Sequence, residues 1–366
     1  MRILHTECSM EWGGQEYRTV LESNYLNSAG HTSWIACPPN SMLLKRGEEL
    51  GATVVPMDLT QPWRFDIAYQ LHRFCRKNRV DLINSHGSRD STLACLSYLR
   101  GIPLVRSRQI TNPINKIFSY KYGCSRIIAT AQVIRDELVR KGVGRDKISI
   151  VGEGVDLEEF RPDLSSDYLR NEFNILPTDK VVINIGMIRE DKGQRYYLKA
   201  ARQLLHDDCS VKFFLIGEGL SNSSLERELK ALVAHHGMES SFIMTGYRSD
   251  VAAFIHLSDL VVVASTGTEA QSRIVPQSFA TGRTVVATNV GGLTDLVKDR
   301  VNGLVIPPEN PDAIADSIKL LLDNEVLKQE LEESAYAFAL KHLSFDVMMD
   351  KTVSIYRELL SRTNPR

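Results

Sequence analysis

A chain of 366 residues exceeds one ordinary hydrophobic core, so two domains are expected. With 43% hydrophobic and 24% charged residues it reads as a soluble globular protein, and no apolar run approaches the roughly 20 residues that span a bilayer. The net charge of −1 hides an asymmetry: residues 1–150 hold 21 Lys and Arg against 13 Asp and Glu, so the front half suits an anionic partner such as a membrane surface, a phosphorylated acceptor or nucleic acid.

In chain order, a strand at Arg2–His5 leads to Trp12-Gly13-Gly14-Gln15-Glu16, which opens a helix from Gln15 to Ala29. Two glycines let a ligand approach the backbone, and the helix start offers free amides to an anion; a plain tight turn has the same residues. The motif is not GxGxxG, so it does not argue for a dinucleotide. Further strands are expected at Thr32–Cys37, Thr53–Met57, Leu82–Ser85, Pro103–Arg106, Arg126–Ala129 and Ile148–Val151, with a helix at Ile67–Lys77.

Asn84-Ser85-His86-Gly87 ends the fourth of these strands. His86 there can bond a substrate hydroxyl or stabilise developing charge, or it can simply cap or pack. Arg106-Ser107-Arg108 ends the fifth, and strand alternation points both arginines the same way, which favours a clamp for a phosphate or carboxylate over a solvated strand edge. Lys116, Phe118, Tyr120, Lys121, Tyr122 and Arg126 then mix cations with aromatics, which suits an anionic membrane and a lipid-linked or lipopolysaccharide-type acceptor.

Gly152 to Asp179, with Gly154, Pro162 and Pro177, reads as a linker. Strands resume at Val181–Gly186, Lys212–Gly217, Phe242–Gly246, Leu260–Ala264, Thr284–Thr288 and Gly303–Ile306, with a helix at Ser224–His236. After Pro307-Pro308 come helices at Asp312–Asp323, Lys328–Lys341 and Phe345–Arg362. Two successive series of alternating strands and helices imply two Rossmann-like α/β domains with parallel sheets.

The strand ends of this half collect polar residues. Gly186-Met187-Ile188-Arg189-Glu190-Asp191-Lys192-Gly193 sets Arg189 and Lys192 three apart before a helix, an arrangement able to hold a departing diphosphate or to stand as two solvated charges. Gly217-Glu218-Gly219 and Gly246-Tyr247-Arg248 join the same rim. The stretch Ser265 to Gly292 adds Glu269 and, eight residues on, Gln277 at a helix start, both able to hold hydroxyls.

Other chemistries lack support. There is no DxD pair, His235 and His236 are adjacent and point apart, and no GxSxG elbow or zinc finger appears. No metal or cofactor is expected, and no nucleic acid. Cys8, Cys37, Cys75, Cys95, Cys124 and Cys209 are scattered without a CxxC pair, as reduced thiols of a cytoplasmic protein would be. The opening MRILHTE reads as a strand, not a signal peptide.

Together the pieces resemble glycosyltransferase family 4, retaining nucleotide-sugar enzymes of GT-B fold. WGGQE resembles the family's glycine loop, and Gly152-Glu153-Gly154-Val155-Asp156 with Phe160-Arg161-Pro162 resembles its linker signature. Gly186 to Gly193 resembles its diphosphate site, Leu215 to Gly219 its second-strand turn, Glu269 to Gly282 its Glu-x7-Glu helix, Val290 to Gly292 the strand end after it, and Asn302 to Val305 a later segment. The resemblance implies an acceptor-binding domain over 1–160 joined by helix 345–366, a nucleotide-sugar domain over 161–344, sheets facing across a cleft, and a last helix crossing back to the first domain.

It also implies roles. Glu269 faces the donor sugar, and the amides of Ala270, Gln271, Ser272 and Arg273 meet its hydroxyls and phosphate. Arg189 and Lys192 hold the diphosphate, Gln277 the ribose, and Arg248 lies near the base. Gly13 and Gly14 approach the diphosphate from the other domain, and His86 sits near the reacting sugar. Arg106 and Arg108 are the acceptor-binding candidates.

Two departures stand out: Gln277 replaces the second glutamate, and Met187 occupies the place of an arginine, with Arg189 as substitute. The implied reaction moves a hexose-like unit to an acceptor hydroxyl with retention, in cell-surface glycan assembly. The same donor could instead serve an epimerase of this fold, and Gln277 would suit a non-catalytic sugar-binding member.

Overall fold

The computed structural model describes residues 1–114, 117–207, 210–221, 223–267 and 269–363, so Lys116 and Cys209 lie outside the described residues. It divides into two compact units, Met1–Gly152 with Met348–Arg366, and Glu153–Val347.

The first unit carries a seven-stranded sheet of β1 (Arg2–Thr6), β2 (Thr32–Cys37), β3 (Val54–Pro56), β4 (Leu82–Ser85), β5 (Leu104–Arg108), β6 (Arg126–Ala129) and β7 (Ile148–Ile150). Their order is β3-β2-β1-β4-β5-β6-β7, all parallel. The second unit carries β8 (Lys180–Ile185), β9 (Val211–Ile216), β10 (Phe242–Gly246), β11 (Leu260–Val263), β12 (Val285–Thr288) and β13 (Gly303–Ile306). They are ordered β10-β9-β8-β11-β12-β13, again all parallel. These are the two Rossmann-like parallel sheets expected from the alternation of strands and helices.

Parallel strands buried on both faces read as unbroken apolar runs rather than alternating ones. In the second unit Val182, Phe213, Leu215 and Val262 face one core cluster, while their neighbours Val181, Ile183, Phe214, Ile216, Val261 and Val263 face another. Each strand thus contributes alternate residues to two helical layers. The strand order reverses between β1 and β4 in one sheet and between β8 and β11 in the other. A ligand crevice opens outside the carboxyl ends of strands at such points. Motifs after β1 and β4, and after β8 and β11, are among those the sequence marks as candidate sites.

Residues 153–160, expected with the first domain, pack in the second unit. Val155 N–H donates to Leu343 O (2.8 Å), Phe345 N–H donates back to Val155 O (2.9 Å), and Phe160 is buried in the second unit's core. The final helix, Phe345–Thr363, belongs to the first unit from Met348 on. There Asn84 Nδ2 donates to the buried Tyr356 hydroxyl at 2.7 Å, and Arg126 pairs with Glu358 at 2.8 Å. Among the described residues no helix is long and apolar enough to cross a membrane.

Candidate functional site

In the second unit the β8–helix connection turns through a short 3-10 segment, Glu190–Lys192, and then Gly193 at φ +69°. A Cβ on Gly193 would lie 1.8 Å from Ala264 O, so only glycine lets this loop lie against the end of β11. The close approach carries Lys192 Nζ to 2.6 Å from Glu269 Oε2. Ser265 Oγ donates to the same carboxylate oxygen at 3.0 Å. Gly291 closes the loop from the β12 side: it has φ +54°, its Cβ would lie 2.1 Å from Glu269 O, and Gly292 N–H donates to that oxygen at 2.9 Å. Residues up to 100 positions apart thus fix one carboxylate and one ammonium at the sheet's switch point.

Beside this pair, Glu269 is followed by Ala270, Gln271 and Ser272, whose backbone amides donate to no protein acceptor among the described residues. Unmatched N–H groups in sequence beside a helix start favour an anion or hydroxyl oxygens. The Gln271 side chain is engaged, accepting from Glu153 N–H at 2.6 Å, while Ser272 Oγ accepts from Ile274 N–H at 3.2 Å. Arg273 is exposed at the start of helix Ile274–Ala280. Gln277, half-buried on that helix, has no side-chain partner among the described residues, so its amide can both donate and accept.

Two expected donor residues have acidic partners of their own. Arg189 is half-exposed and makes a two-point pair with Asp191 (2.9 and 2.5 Å), not a contact in the Lys192–Glu269 cluster. Arg248, expected near the base, is held by Glu172 (2.7 and 3.0 Å) and Asp250 (2.9 and 2.7 Å), with its guanidinium over Phe254 at 5.2 Å. It acts as a strut between helices Asp167–Glu172 and Val251–Leu257, and its bond holds the Asp250 carboxyl down at about 2. The neighbouring Tyr247 is exposed.

The first unit's switch point is a buried polar cluster. Gly13 and Gly14 are exposed at the start of helix Gly14–Ser28, with Glu16 Oε2 accepting from Gly13 N–H at 2.8 Å. His86 is buried and stacked on His5 (ring centroids 5.3 Å apart), with His86 Nε2 and His5 Nδ1 at 3.0 Å. Burial pushes His5 down to about 3 and His86 well below the usual histidine range, so both are neutral. His86 Nδ1 has no partner among the described residues. Burial first, and then Asp90, push the Glu7 carboxyl up to about 8; burial also raises Asp90, which accepts from Thr6 Oγ1 (2.7 Å) and His86 N–H (3.1 Å).

Sequence spacing shows none of this gathering, since the adjacency of β1 and β4 creates it. The same adjacency brings potential metal donors of His5, Glu22 and His86 within 4.8 Å of one another, where the sequence shows no metal set. The two histidines bond each other and Glu22 bonds Arg18 at 2.7 Å, so the group stands as a hydrogen-bonded cluster.

Strand β5 continues past Arg106 to Arg108, and the two arginines share a face as alternation requires. Both meet Tyr120: Arg106 lies 3.5 Å over its ring, and Arg108 Nη1 donates to its hydroxyl at 2.8 Å. Tyr120, read from the sequence as part of a surface patch, is therefore buried beneath them. Arg126 is likewise tied down, by Glu358 and Asp146 O (2.5 Å), whereas Phe118 and Tyr122 are exposed.

Two family descriptions match the chain in succession: Glycosyltransferase Family 4 over residues 12–159 and Glycosyl transferases group 1 over residues 165–338. An alpha-D-kanosaminyltransferase of Streptomyces kanamyceticus is 26% identical over 275 residues, which is 72% of this chain and 68% of that protein. A lipopolysaccharide 1,2-N-acetylglucosaminetransferase of Salmonella typhimurium is 28% identical over 54% of this chain and 53% of its own length. The matched stretches thus span about half to two thirds of these curated relatives. Anabaena HepE, solved in complex with UDP, superposes with a TM-score of 0.88 at 19% identity, over 98% of this chain and 100% of that one.

Proposed function

Because the chain belongs to glycosyltransferase family 4, we propose that it transfers a hexose-like sugar from a nucleoside-diphosphate donor to an acceptor hydroxyl, with retention at the anomeric carbon and without a metal ion. The observation that carries this reading is the Lys192–Glu269 pair, with the unmatched amides of Ala270 to Ser272 beside it and Gln277 free on the following helix.

Each part answers a part of the donor. Negative charge grows on the leaving diphosphate as the glycosidic bond breaks, and a fixed ammonium there lowers the barrier without reorganising. Glu269 orients Lys192 and offers its other oxygen to sugar hydroxyls. The amides suit phosphate or hydroxyl oxygens, and Gln277 a ribose hydroxyl. Arg189 adds a second cation only by leaving Asp191, so Lys192 is the principal one. Retention follows if the departing phosphate takes the acceptor proton on the same face of the sugar. That route needs positioning rather than a protein base, and the histidine expected near the sugar, His86, is buried and neutral. The exposed main chain at Gly13 and Gly14 is open to a diphosphate.

The relatives named as sugar transferases, one of them acting on lipopolysaccharide, and the UDP held by Anabaena HepE support a nucleotide-sugar donor and a cell-surface glycan acceptor. Exposed Phe118 and Tyr122 beside Lys121 support contact with an anionic membrane face. A thermal-shift screen with UDP, GDP, ADP and CMP and their sugars tests the donor reading, since a ligand of the folded form raises the midpoint by mass action. One nucleotide raising it, and its sugar being slowly hydrolysed, is the expected result. No response to any of them removes the reading, and binding without hydrolysis or transfer would favour a non-catalytic member, the reading to which Gln277 lends itself.

A further inference from the structure

Arg106 and Arg108 are 4% and 7% exposed, yet every acceptor they meet is neutral. Arg106 donates to the hydroxyls of Ser119 and Ser88, and Arg108 to the Tyr120 hydroxyl and to Asn112 O. Among the described residues no carboxylate lies within ion-pair distance of either. Of the neighbouring acids, Asp90 bonds Thr6 and the His86 amide and meets Arg106 only as a through-space charge, while Asp58 and Asp66 pair with Arg64 at 3.4 and 2.6 Å. Each guanidinium carries five N–H donors, and the neutral partners named take two of them without supplying a bonded counter-charge, which is unfavourable for a buried cation.

The two guanidinium groups line a cavity of about 510 Å³ at the carboxyl end of β5, with exposed Arg89 and Trp63 also on its wall. Guanidinium forks on one strand face match phosphate oxygens in pairs, which two lysines would not do. Arg89 adds a third cation, so the site suits a dianionic phosphate better than a singly charged carboxylate. Trp63 offers an apolar face to a ring attached to it.

We propose that this cavity binds a phosphate group carried by the acceptor, on a sugar or polyol or on a lipid headgroup. The inference rests on the reading that the chain transfers a sugar to an acceptor. It assigns to Arg106 and Arg108 the recognition of a charged handle, separate from the hydroxyl that reacts.

The test is calorimetric titration of inorganic phosphate and of a sugar phosphate into full-length protein already saturated with UDP. The nucleotide occupies the Lys192 region, so the titration reads the Arg106 cavity alone. Both ligands bind the wild type. Arg106→Gln and Arg108→Gln each weaken binding by about tenfold, the loss of one charge-assisted bond, with the UDP-induced rise in Tm retained. Lys192→Ala leaves phosphate binding unchanged. Vesicles of phosphatidate against phosphatidylcholine separate a lipid source from a soluble one. Phosphate also slows phenylglyoxal labelling of Arg89 in the wild type, a readout that does not require the buried variants to fold. No phosphate binding, or equal binding in both arginine variants with Arg89 unprotected, overturns the proposal. Absence of UDP binding alone would strike the donor reading instead and leave the phosphate titration interpretable.

Discussion

Gly193 is where the fold commits the site most tightly, and Gly193→Ala is the perturbation that measures it. Two costs add. The left-handed φ of +69° costs an alanine roughly 1–2 kcal/mol. The new Cβ would stand 1.8 Å from Ala264 O, a backbone atom that moves only with the end of β11, and forced repacking of that kind costs about 1–3 kcal/mol. Gly237→Ala supplies the control within the same unit, because Gly237 has a similar φ of +62° and open space around its Cβ. A unit of this size loses about 3 °C of Tm per kcal/mol, so Gly193→Ala should fall by roughly 6–15 °C and Gly237→Ala by roughly 3–6 °C. The assay is differential scanning calorimetry with and without nucleotide. Relief of the clash moves Lys192 away from Glu269, so Gly193→Ala also loses nucleotide affinity, by about tenfold if one charge-assisted bond is displaced. Equal Tm values for the two variants, with nucleotide binding intact in both, would mean that the contact of Gly193 with the end of β11 does not hold Lys192 in place.

Further outcomes follow from the same contacts. Arg248→Ala lowers Tm, by loss of a strut worth roughly 1–2 kcal/mol after solvent screening, while nucleotide affinity stays unchanged; a matched fall in affinity would return Arg248 to the base. Tyr356→Phe leaves the Asn84 donor buried and unmatched, so chemical denaturation should show a loss of about 1–3 kcal/mol, and none if the 2.7 Å bond is idle. Glu7 is protonated in the fold and ionised when unfolded over the range between its ordinary value of 4.5 and about 8. The folded state binds the extra proton, so this contribution is full below pH 4.5 and is lost as pH rises through 8. Glu7→Gln therefore flattens the decline of Tm between pH 5 and 8 relative to wild type, and parallel profiles would contradict the assignment.

The architecture was legible because its signals are local. Unbroken apolar runs such as Leu260 to Val263, glycine-marked strand ends and the Gly154–Pro162 linker all lie within a few residues of one another. Strand pairing then carries the site: Glu269 and Lys192 sit 77 positions apart, but β8 and β11 are neighbours, so their loops meet. What stayed hidden depends on partners without a local signature. Arg248 looks like any rim cation until Glu172 arrives from 76 residues upstream, and Arg126 looks free until Glu358 does from 232 residues downstream. Tyr120 shares a short segment with the exposed Phe118 and Tyr122, and only the face of β5 decides that it is buried. The pairing of His86 with His5 likewise needs the β1–β4 adjacency.

In the proposed function a nucleotide-sugar diphosphate sits on Lys192 rather than on Arg189. The measurement is calorimetric titration of the stabilising nucleotide into wild type, Lys192→Ala and Arg189→Ala. Lys192→Ala should lose roughly 10- to 100-fold in affinity, the range of a bond to a charged group, and Arg189→Ala less than about threefold, because its guanidinium is already paired with Asp191. Equal affinity in wild type and Lys192→Ala, or a larger loss in Arg189→Ala, would contradict it.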